Sequence, residues 1–296
     1  MTKRELLNKV KGAFVGLAIG DAMGATTEFM KPREIHKAYG TNGVQEIIGG
    51  GWLHLKAGEV TDDTQMTMCV ARAILSSTET NGAIAQIDEN HFLACCMANF
   101  LNWYSSGPLD VGNQCRRVLG LFSKLDRNDM ADIAWTKLWY RAASNKHAYG
   151  NGSLMRALPA ALVGTKYALA QGRLTHNNNV CDAYIREYCD VLHLAMTGII
   201  DRTQLHPKSN GGAIYETMDG ACYWLAHTDN FRDCIVGVVN NGGDADTIGA
   251  VAGSLAGCCY GYGAIPSDLV VALDPSVRLD LIETAERFVE LDLVSV

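Results

Sequence analysis

Residues 12–24 read Gly-Ala-Phe-Val-Gly-Leu-Ala-Ile-Gly-Asp-Ala-Met-Gly, and residues 249–261 read Gly-Ala-Val-Ala-Gly-Ser-Leu-Ala-Gly-Cys-Cys-Tyr-Gly. In both segments a glycine recurs at every fourth position, and positions i and i+4 lie on the same face of an α-helix. A glycine inside a helix costs about 1 kcal/mol relative to alanine. We therefore expect each glycine ridge either to let another helix approach very closely or to fit a crowded core. Acidic residues lie near the ends of both ridges, which favours a functional site there: Asp21, Glu28, Asp244 and Asp246.

Helical periodicity dominates the rest of the chain, and the alternation typical of β-strands is almost absent. Residues Thr2 to Glu5 have the pattern of a capping box that opens a first helix. Further helices are predicted over 66–75, 91–104, 111–125, 129–143, 153–162, 180–199, 214–226, 231–239, 247–260 and 279–291. Because no linker or tandem repeat interrupts this pattern, the sequence predicts an all-α protein with a single domain over residues 1–296.

The composition of the 296-residue chain argues against several protein classes. The net charge is −7, and Lys and Arg never occur in runs longer than two, which argues against nucleic-acid binding. The ten cysteines form no CxxC pair, so we expect reduced thiols rather than a zinc site. The N-terminus lacks a signal-peptide pattern, which favours a cytoplasmic location. Residues 245–265 are apolar, but their glycine content and the neighbouring acids favour a buried helix over a transmembrane span.

Two short segments place carboxylates and a hydroxyl where a loop enters a helix. They are Thr61-Asp62-Asp63-Thr64 and Asp244-Ala245-Asp246-Thr247. Asp and Thr are good helix caps, so capping alone could explain one Asp and one Thr in each segment. A pair of acids in each is more than caps require, and clustered carboxylates repel one another unless cations neutralise them. Oxygen ligands without His or Cys suit Mg²⁺ or Mn²⁺. At this point elaborate capping and a metal site both remain open.

Four segments, taken in order, resemble the ADP-ribosylglycohydrolase family. They lie at 20–28, 58–64, 150–156 and 241–247, and the similarity extends from about Lys11 to Pro266. The paired Thr-Asp-Asp-Thr and Gly-Gly-Asp-x-Asp-Thr motifs are its specific signature. The stretches at 49–53 (Gly-Gly-Gly-Trp-Leu) and 110–113 (Asp-Val-Gly-Asn) resemble a subfamily that acts on modified nitrogenase iron protein. The resemblance implies a compact orthogonal helical bundle with a dinuclear metal site in a central cleft.

The same resemblance implies roles for individual residues. Two divalent ions, Mn²⁺ or Mg²⁺, would be held by Thr61, Asp62, Asp63, Asp244, Asp246 and Thr247, with Asp246 bridging them. Catalytic roles fall to Glu28, Asp110 and Asp62. Substrate-binding roles fall to Asn151, Gly152, Arg156, His176, Gly242 and Gly243.

Three residues also have plain structural interpretations. Arg156 follows an apolar Leu-Met pair, where an arginine is more often a structural partner than a ligand, and His176 precedes three asparagines, where it could be a turn residue. For Asp21 we favour a structural role at the end of a helix or a loop.

Around 210–213 related proteins tend to carry an aromatic residue that could stack on adenine. Ala213 cannot do so, and Tyr215 or another aromatic residue would have to replace it.

The resemblance implies hydrolysis of the N-glycosidic bond between ADP-ribose and an arginine guanidinium of a protein, and we expect nitrogenase iron protein as the target. Three alternatives remain open: hydrolysis of a serine or acetyl-ester linkage, cleavage of the ADP-ribose pyrophosphate, and a non-catalytic structural role. The subfamily also implies regulation by a PII signalling protein and reversible recruitment to the membrane. We expect a monomer.

Overall fold

The computed structural model describes residues 1–81, 87–124, 133–200, 203, 206–292 and 294, and within these it contains helices and no β-strand. Two isolated β-bridges join Gly50 to Leu55 and Gly150 to Ala213. A short 3₁₀ helix spans Tyr262–Ala264. The α-helices are α1 (Lys3–Gly24), α2 (Pro32–Tyr39), α3 (Asp62–Asn81), α4 (Glu89–Ser105), α5 (Asn113–Phe122), α6 (Ile133–Ala143), α7 (Leu158–Val163), α8 (Thr165–Gly172), α9 (Asn179–Met196), α10 (Ile214–His227), α11 (Phe231–Asn241), α12 (Ala245–Tyr260), α13 (Ser267–Ala272) and α14 (Pro275–Glu290).

The all-helical prediction is confirmed for the described residues, and the long helices lie where the periodicity places them. The capping box is also confirmed, since the hydroxyl of Thr2 accepts from the backbone N–H of Glu5 and the Glu5 carboxylate accepts from Thr2. The helix predicted over 153–162 is wrong in its first half, because residues 152–156 form turns and α7 begins at Leu158. Three short helices were not predicted: α2, α8 and α13. Residues 125 and 129–132 of two predicted helices lie outside the described residues.

The two glycine ridges pack against each other, with α1 and α12 antiparallel. A Cβ atom added to Gly12, Gly16 or Gly20 would collide with a backbone carbonyl of α12. The carbonyls concerned belong to Gly257, Gly253 and Gly249, respectively. Only glycine allows this backbone-to-backbone approach, which explains the regular four-residue spacing in both segments.

The remaining helices cover the α1–α12 pair. Side chains from α3, α4, α9, α10, α11 and α14 belong with those of the pair to a common hydrophobic core cluster. Helix α12 is 16 residues long and nearly every one of its residues is buried, as expected for a core helix. None of the helices in the described residues has the length and apolar character that crossing a membrane requires.

Candidate active site

Acidic side chains from four separate parts of the chain converge at one end of the α1–α12 pair. Glu28 follows α1, Asp62 and Asp63 lie in the first turn of α3, and Asp246 lies in the first turn of α12. Asp244 precedes α12, and Asp110 precedes α5. Carboxylate oxygens of Glu28, Asp110 and Asp246 lie within 4.8 Å of one another. The fold thus brings together acids that are more than 200 positions apart in the sequence.

Asp21 on α1 holds the loop that enters α3. Its carboxylate accepts the backbone N–H of Thr61 at 3.1 Å and that of Thr64 at 3.1 Å. It also accepts the hydroxyls of Thr61 at 2.8 Å and Thr64 at 2.6 Å. A helix N-terminus leaves backbone N–H groups without partners, and Asp21 satisfies them from a neighbouring helix. The structural role favoured for Asp21 is therefore confirmed, and Asp62 and Asp63 are not needed as caps.

Asp63 joins the two acidic loops. Its Oδ2 accepts the hydroxyl of Thr61 at 3.2 Å and that of Thr247 at 3.3 Å. Its Oδ1 is buried and has no hydrogen-bond partner among the described residues. Buried polar atoms without a partner are uncommon and costly, so this oxygen points to a ligand that the protein itself does not supply.

The loop before α12 is shaped by two glycines with left-handed backbone conformations. Gly242 has φ 65° and Gly243 has φ 71°, and a Cβ at either would strike the carbonyl of Met30 or of Asn210. The loop then presents Asp244, whose Oδ2 accepts a hydrogen bond from the side-chain amide of Asn151. Gly242 and Gly243 thus shape the loop and do not line the cleft. The resemblance had assigned both glycines to substrate binding.

Burial raises the pKa of every acid in this group, and mutual repulsion adds to the effect for most of them. The pKa of Glu28 and that of Asp62 rise to about 8, and those of Asp21 and Asp244 rise to about 6. The pKa values of Asp63 and Asp246 rise well above the usual range, and that of Asp110 is raised by burial alone. No ion pair in the described part of the chain joins a lysine or arginine to any of these acids.

These residues fit a site for divalent cations. The donor set consists of carboxylate and hydroxyl oxygens, as Mg²⁺ and Mn²⁺ prefer. Buried carboxylates without basic partners need either protons or cations to offset their repulsion. The unpartnered Oδ1 of Asp63 adds an oxygen that a cation could contact. The group of possible metal ligands found among the described residues consists of three carboxylates, those of Glu28, Asp110 and Asp246.

A cleft of about 670 Å³ opens above these acids. This volume suits a ligand of the size of a dinucleotide fragment. Nine of the site residues proposed from the sequence line it: Glu28, Asp62, Asp110, Asn151, Gly152, His176, Asp244, Asp246 and Thr247. Thr61 and Asp63 do not line the cleft but lie directly behind it, joined by the hydrogen bonds described above.

The loop before α5 forms part of the cleft wall and is tied to the acids. Asp110, Gly112 and Asn113 all line the cleft, and the backbone N–H of Gly112 hydrogen-bonds to Asp62. Gly112 is the N-cap of α5 and has no side chain that could satisfy the other N–H groups of the first turn. Arg116 and Arg117 add positive charge to the same wall.

Comparison with known proteins agrees with this geometry. The family model described as ADP-ribosylglycohydrolase matches residues 2–207 and 182–295. The chain belongs to the ADP-ribosylglycohydrolase family. It is 35% identical over 305 residues to an ADP-ribosyl-[dinitrogen reductase] glycohydrolase of Rhodospirillum rubrum, covering 95% of both chains. It is 28% identical over 330 residues to the ADP-ribosylarginine hydrolase Tri1 of Pseudomonas putida, covering 99% of this chain and 82% of that protein.

A solved structure supports the same assignment of the fold. The chain superimposes on an ADP-ribosylglycohydrolase-related protein complex with a TM-score of 0.75 and 27% identity. The match covers 97% of this chain and 99% of the other. The helical architecture of this glycohydrolase is therefore that of its family.

Arg156 of this glycohydrolase lies behind the cleft wall, although the resemblance had assigned it to the substrate. Its side chain is fully buried, and it donates to Gln171 Oε1 at 2.8 Å and Thr175 Oγ1 at 2.7 Å. A further N–H bonds to the carbonyl of Gly152, and the guanidinium lies 4.6 Å from the ring centre of Phe100. With no exposed surface, Arg156 cannot contact a ligand in the cleft. It supports the turn that carries Gly152 instead.

His176 lines the cleft as a neutral imidazole. Burial, with a smaller effect from the charge of Arg156, lowers the pKa of His176 to about 3. Its Nδ1 lies 2.8 Å from the hydroxyl of Thr175, which also accepts from Arg156. His176 can therefore offer a hydrogen bond but no charge to a ligand.

Sequence reasoning missed several residues of the cleft wall. Phe29 and Trp52 line it beside Glu28, and Asn145, His147 and Tyr149 line it from the turn before Asn151. Trp52 lies in the Gly-Gly-Gly-Trp stretch that pointed to the subfamily, so a signal for it was present. The aromatic residue considered for adenine, Tyr215, pairs with Tyr184 at 6.2 Å and does not line the cleft.

Proposed function

We propose that this glycohydrolase hydrolyses the N-glycosidic bond between ADP-ribose and an arginine guanidinium of a protein, using two divalent cations. The observation that carries the proposal is the convergence of the two acidic loops on Asp63, whose unpartnered Oδ1 lies beneath a cleft of dinucleotide size. Two relatives, named for dinitrogen reductase and for ADP-ribosylarginine, support arginine as the linkage.

Six residues of the two loops would hold the cations: Thr61, Asp62, Asp63, Asp244, Asp246 and Thr247. We propose Mn²⁺ or Mg²⁺ as the ions, and Asp246 would be among their ligands. When bound, such ions orient ribose hydroxyls, polarise the scissile bond and lower the pKa of a water molecule. Asp21 would not be a ligand, because its carboxylate already accepts the N–H groups and hydroxyls of Thr61 and Thr64.

Glu28 and Asp110 are the groups that we propose for proton transfer. In the reaction the oxygen of water bonds to the anomeric carbon, the carbon–nitrogen bond breaks, and a proton moves to the leaving guanidine. The indole N–H of Trp52 fixes the Glu28 carboxyl beside the site, so this group is placed to accept or donate a proton during the reaction. A carboxylate oxygen of Asp110 lies within 4.8 Å of one of Glu28, so Asp110 can take part in the same proton transfer.

The cleft wall supplies contacts for the rest of the ADP-ribose. Positive charge from Arg116 and Arg117, with the N-terminus of α5, suits the pyrophosphate. Asn151, Gly152 and neutral His176 offer hydrogen bonds that position the ribose without adding charge. A substrate held by this wall would have its anomeric carbon near Glu28 and Asp246.

The target that we propose is the modified arginine of nitrogenase iron protein, on the strength of the 35% identical relative. A PII signalling protein as regulator, a cytoplasmic location with reversible membrane recruitment, a monomeric state and a single domain over residues 1–296 are parts of the same proposal. None of them is needed for the chemistry of the site.

The proposal is tested by incubating the protein with ADP-ribosylated iron protein and with an ADP-ribosyl-arginine peptide, in Mn²⁺ or in chelator. We expect free ADP-ribose and unmodified arginine only when Mn²⁺ is present. Asp62→Ala and Asp244→Ala should each lower kcat about a thousand-fold or more, since several kcal/mol of transition-state stabilisation is lost. Asp233→Ala is the matched control, because Asp233 lies in the first turn of α11 on the exposed surface.

Other products would identify another function. Release of AMP would show cleavage of the pyrophosphate, and turnover of an ADP-ribosyl-serine or acetyl-ester substrate alone would show another linkage. Full turnover in chelator would contradict the metal-dependent mechanism.

A further inference from the structure

Two exposed aromatic rings stand together at the rim of the cleft. Phe29 is 67% exposed and Trp52 is 47% exposed, and both line the cleft. Their ring centres are 5.5 Å apart with the planes tilted by 45°. Single exposed hydrophobic residues are ordinary, but a paired aromatic surface that opens onto a polar cleft calls for a ligand.

The backbone that presents these rings has left-handed conformations, which are costly for Phe29 but not for glycine. Phe29 has φ 61°, which is rare for a bulky residue, and its N–H is fixed to the carbonyl of Gly243 at 2.7 Å. Trp52 follows three glycines with φ of 69°, 85° and 66°. Strained backbone persists where the surrounding contacts fix it, and such residues cluster at ligand sites.

Tight packing joins the two turns. The hydroxyl of Thr26 donates to the carbonyl of Gly49 at 3.0 Å. A Cβ on Gly51 would collide with the carbonyl of Ala25. Phe29 and Trp52 are therefore carried by one rigid unit, which fixes the spacing of the rings.

An acid of the site lies directly beside the rings. The indole N–H of Trp52 donates to Glu28, so the ring lies directly against an acid of the site. Oxygens of Asp110 and Asp246 lie within 4.8 Å of a Glu28 oxygen. Aromatic faces beside carboxylates attract a planar cation, and a guanidinium stacks on such faces better than an ammonium does.

We infer that Phe29 and Trp52 form the subsite for the arginine side chain that carries the ADP-ribose. This inference rests on the proposed function and deepens it. The guanidinium lies against the rings while its glycosidic carbon faces Glu28 and Asp246. A serine linkage has no cation to stack here, so the two rings select for arginine.

Adenine is the other flat group that could occupy two aromatic rings. The cleft offers a separate aromatic pair for it, because His147 and Tyr149 line the cleft with ring centres 6.5 Å apart. These residues come from the turn before Asn151, whereas Phe29 and Trp52 surround Glu28. The experiment below therefore distinguishes adenine from the arginine guanidinium as the group that stacks on Phe29 and Trp52.

The test measures steady-state kinetics on an ADP-ribosyl-arginine peptide and the affinity for free ADP-ribose. Phe29→Leu should raise KM about ten-fold with little change in kcat, as expected for loss of a partly desolvated cation–π contact. Its affinity for ADP-ribose should stay unchanged, since the product lacks the guanidinium. Phe29→Tyr should keep the KM of the native protein, because it keeps the aromatic ring. Tyr223→Leu is the control, because it removes a ring of α10 that stacks on His227 and does not line the cleft.

Trp52→Phe separates the two contributions of the indole. It keeps a ring but removes the N–H that holds Glu28, so kcat should fall while KM changes little. A rise in KM without a fall in kcat would contradict the assigned contact with Glu28.

Two results would overturn the inference while leaving the proposed function intact. The first is an unchanged KM in Phe29→Leu, and the second is a loss of ADP-ribose affinity equal to the rise in KM, which would place adenine on the rings. If the native protein does not hydrolyse the arginine linkage at all, the proposed function fails, and binding of agmatine still decides the inference. Agmatine should bind the native protein about ten-fold more tightly than Phe29→Leu, and equal affinities would overturn the subsite.

Discussion

The loop that enters α3 and the loop that enters α12 carry similar residues but are held in different ways. In the first loop, Asp21 of α1 accepts the backbone N–H groups and hydroxyls of Thr61 and Thr64. In the second loop, Asp244 at the N-cap makes no capping hydrogen bond, and its carboxylate is held by Asn151 of the cleft wall.

The difference shows that the residues that cap a helix can be distinct from those that supply its clustered acids. In the first loop a neighbouring helix provides the cap, so Asp62 can line the cleft and Asp63 can join the two loops behind it. In the second loop the N-cap residue makes no capping bond, and Asp246 instead accepts the backbone N–H of Thr247 at 2.8 Å. Two glycines and an amide from another segment orient this loop. The packed α1–α12 pair joins both arrangements, because it carries Asp21 at the end of one helix and Asp246 at the start of the other.

The largest effect is expected from removal of the cap in the first loop. Asp21→Ala leaves two N–H groups and the Thr64 hydroxyl without an acceptor, and we expect a loss of about 3 kcal/mol in the free energy of unfolding. Activity should fall as well, since the loop that positions Asp62 and Asp63 loses its anchor. Thermal unfolding and hydrolysis assays measure the two effects.

Asp274→Ala provides the control for that variant. Asp274 caps α14 by accepting from Ser276 and Val277, away from the cleft. It should cost about 1 kcal/mol and leave activity intact. If Asp21→Ala is as stable and as active as this control, the two loops are not held as we describe.

A smaller effect is expected from removing the amide that holds the second loop. Asn151→Ala removes the hydrogen bond to Asp244 but no cap, so the melting temperature should change little. Activity should fall about 10- to 100-fold, as is usual when a group that orients a metal ligand is lost. Unchanged kcat and KM would show that Asp244 needs no support from the cleft wall.

The sequence predicted the features that depend on local pattern or on strong chemical constraint. The four-residue glycine spacing indicated a close helix approach, and the capping box of Thr2 and Glu5 marked the start of α1. Each acidic loop contains more acids than helix capping requires, which indicated a shared site. The structure brings those acids together. Asp21 was correctly given a structural role, because one acid at a helix end is well explained as a cap.

The features that failed depend on contacts between distant segments. The family resemblance assigned Arg156 to the substrate, whereas in the structure Gln171, Thr175 and Gly152 accept hydrogen bonds from its guanidinium. The turns over 152–156 have helical hydrophobic spacing, but their polar groups bond to other segments. Phe29 and Trp52 indicate a binding site only because the fold places their rings together at the cleft rim beside Glu28.

Titration calorimetry with Mn²⁺ at neutral pH tests most directly whether carboxylates of both loops form one cation site. The pKa values of about 8 for Glu28 and Asp62 mean that the metal-free protein holds protons there, so binding should release protons and tighten as pH rises. Asp63→Asn in the first loop and Asp246→Asn in the second should each abolish this binding. Retention of tight Mn²⁺ binding in either variant, or binding without proton release, would contradict the account.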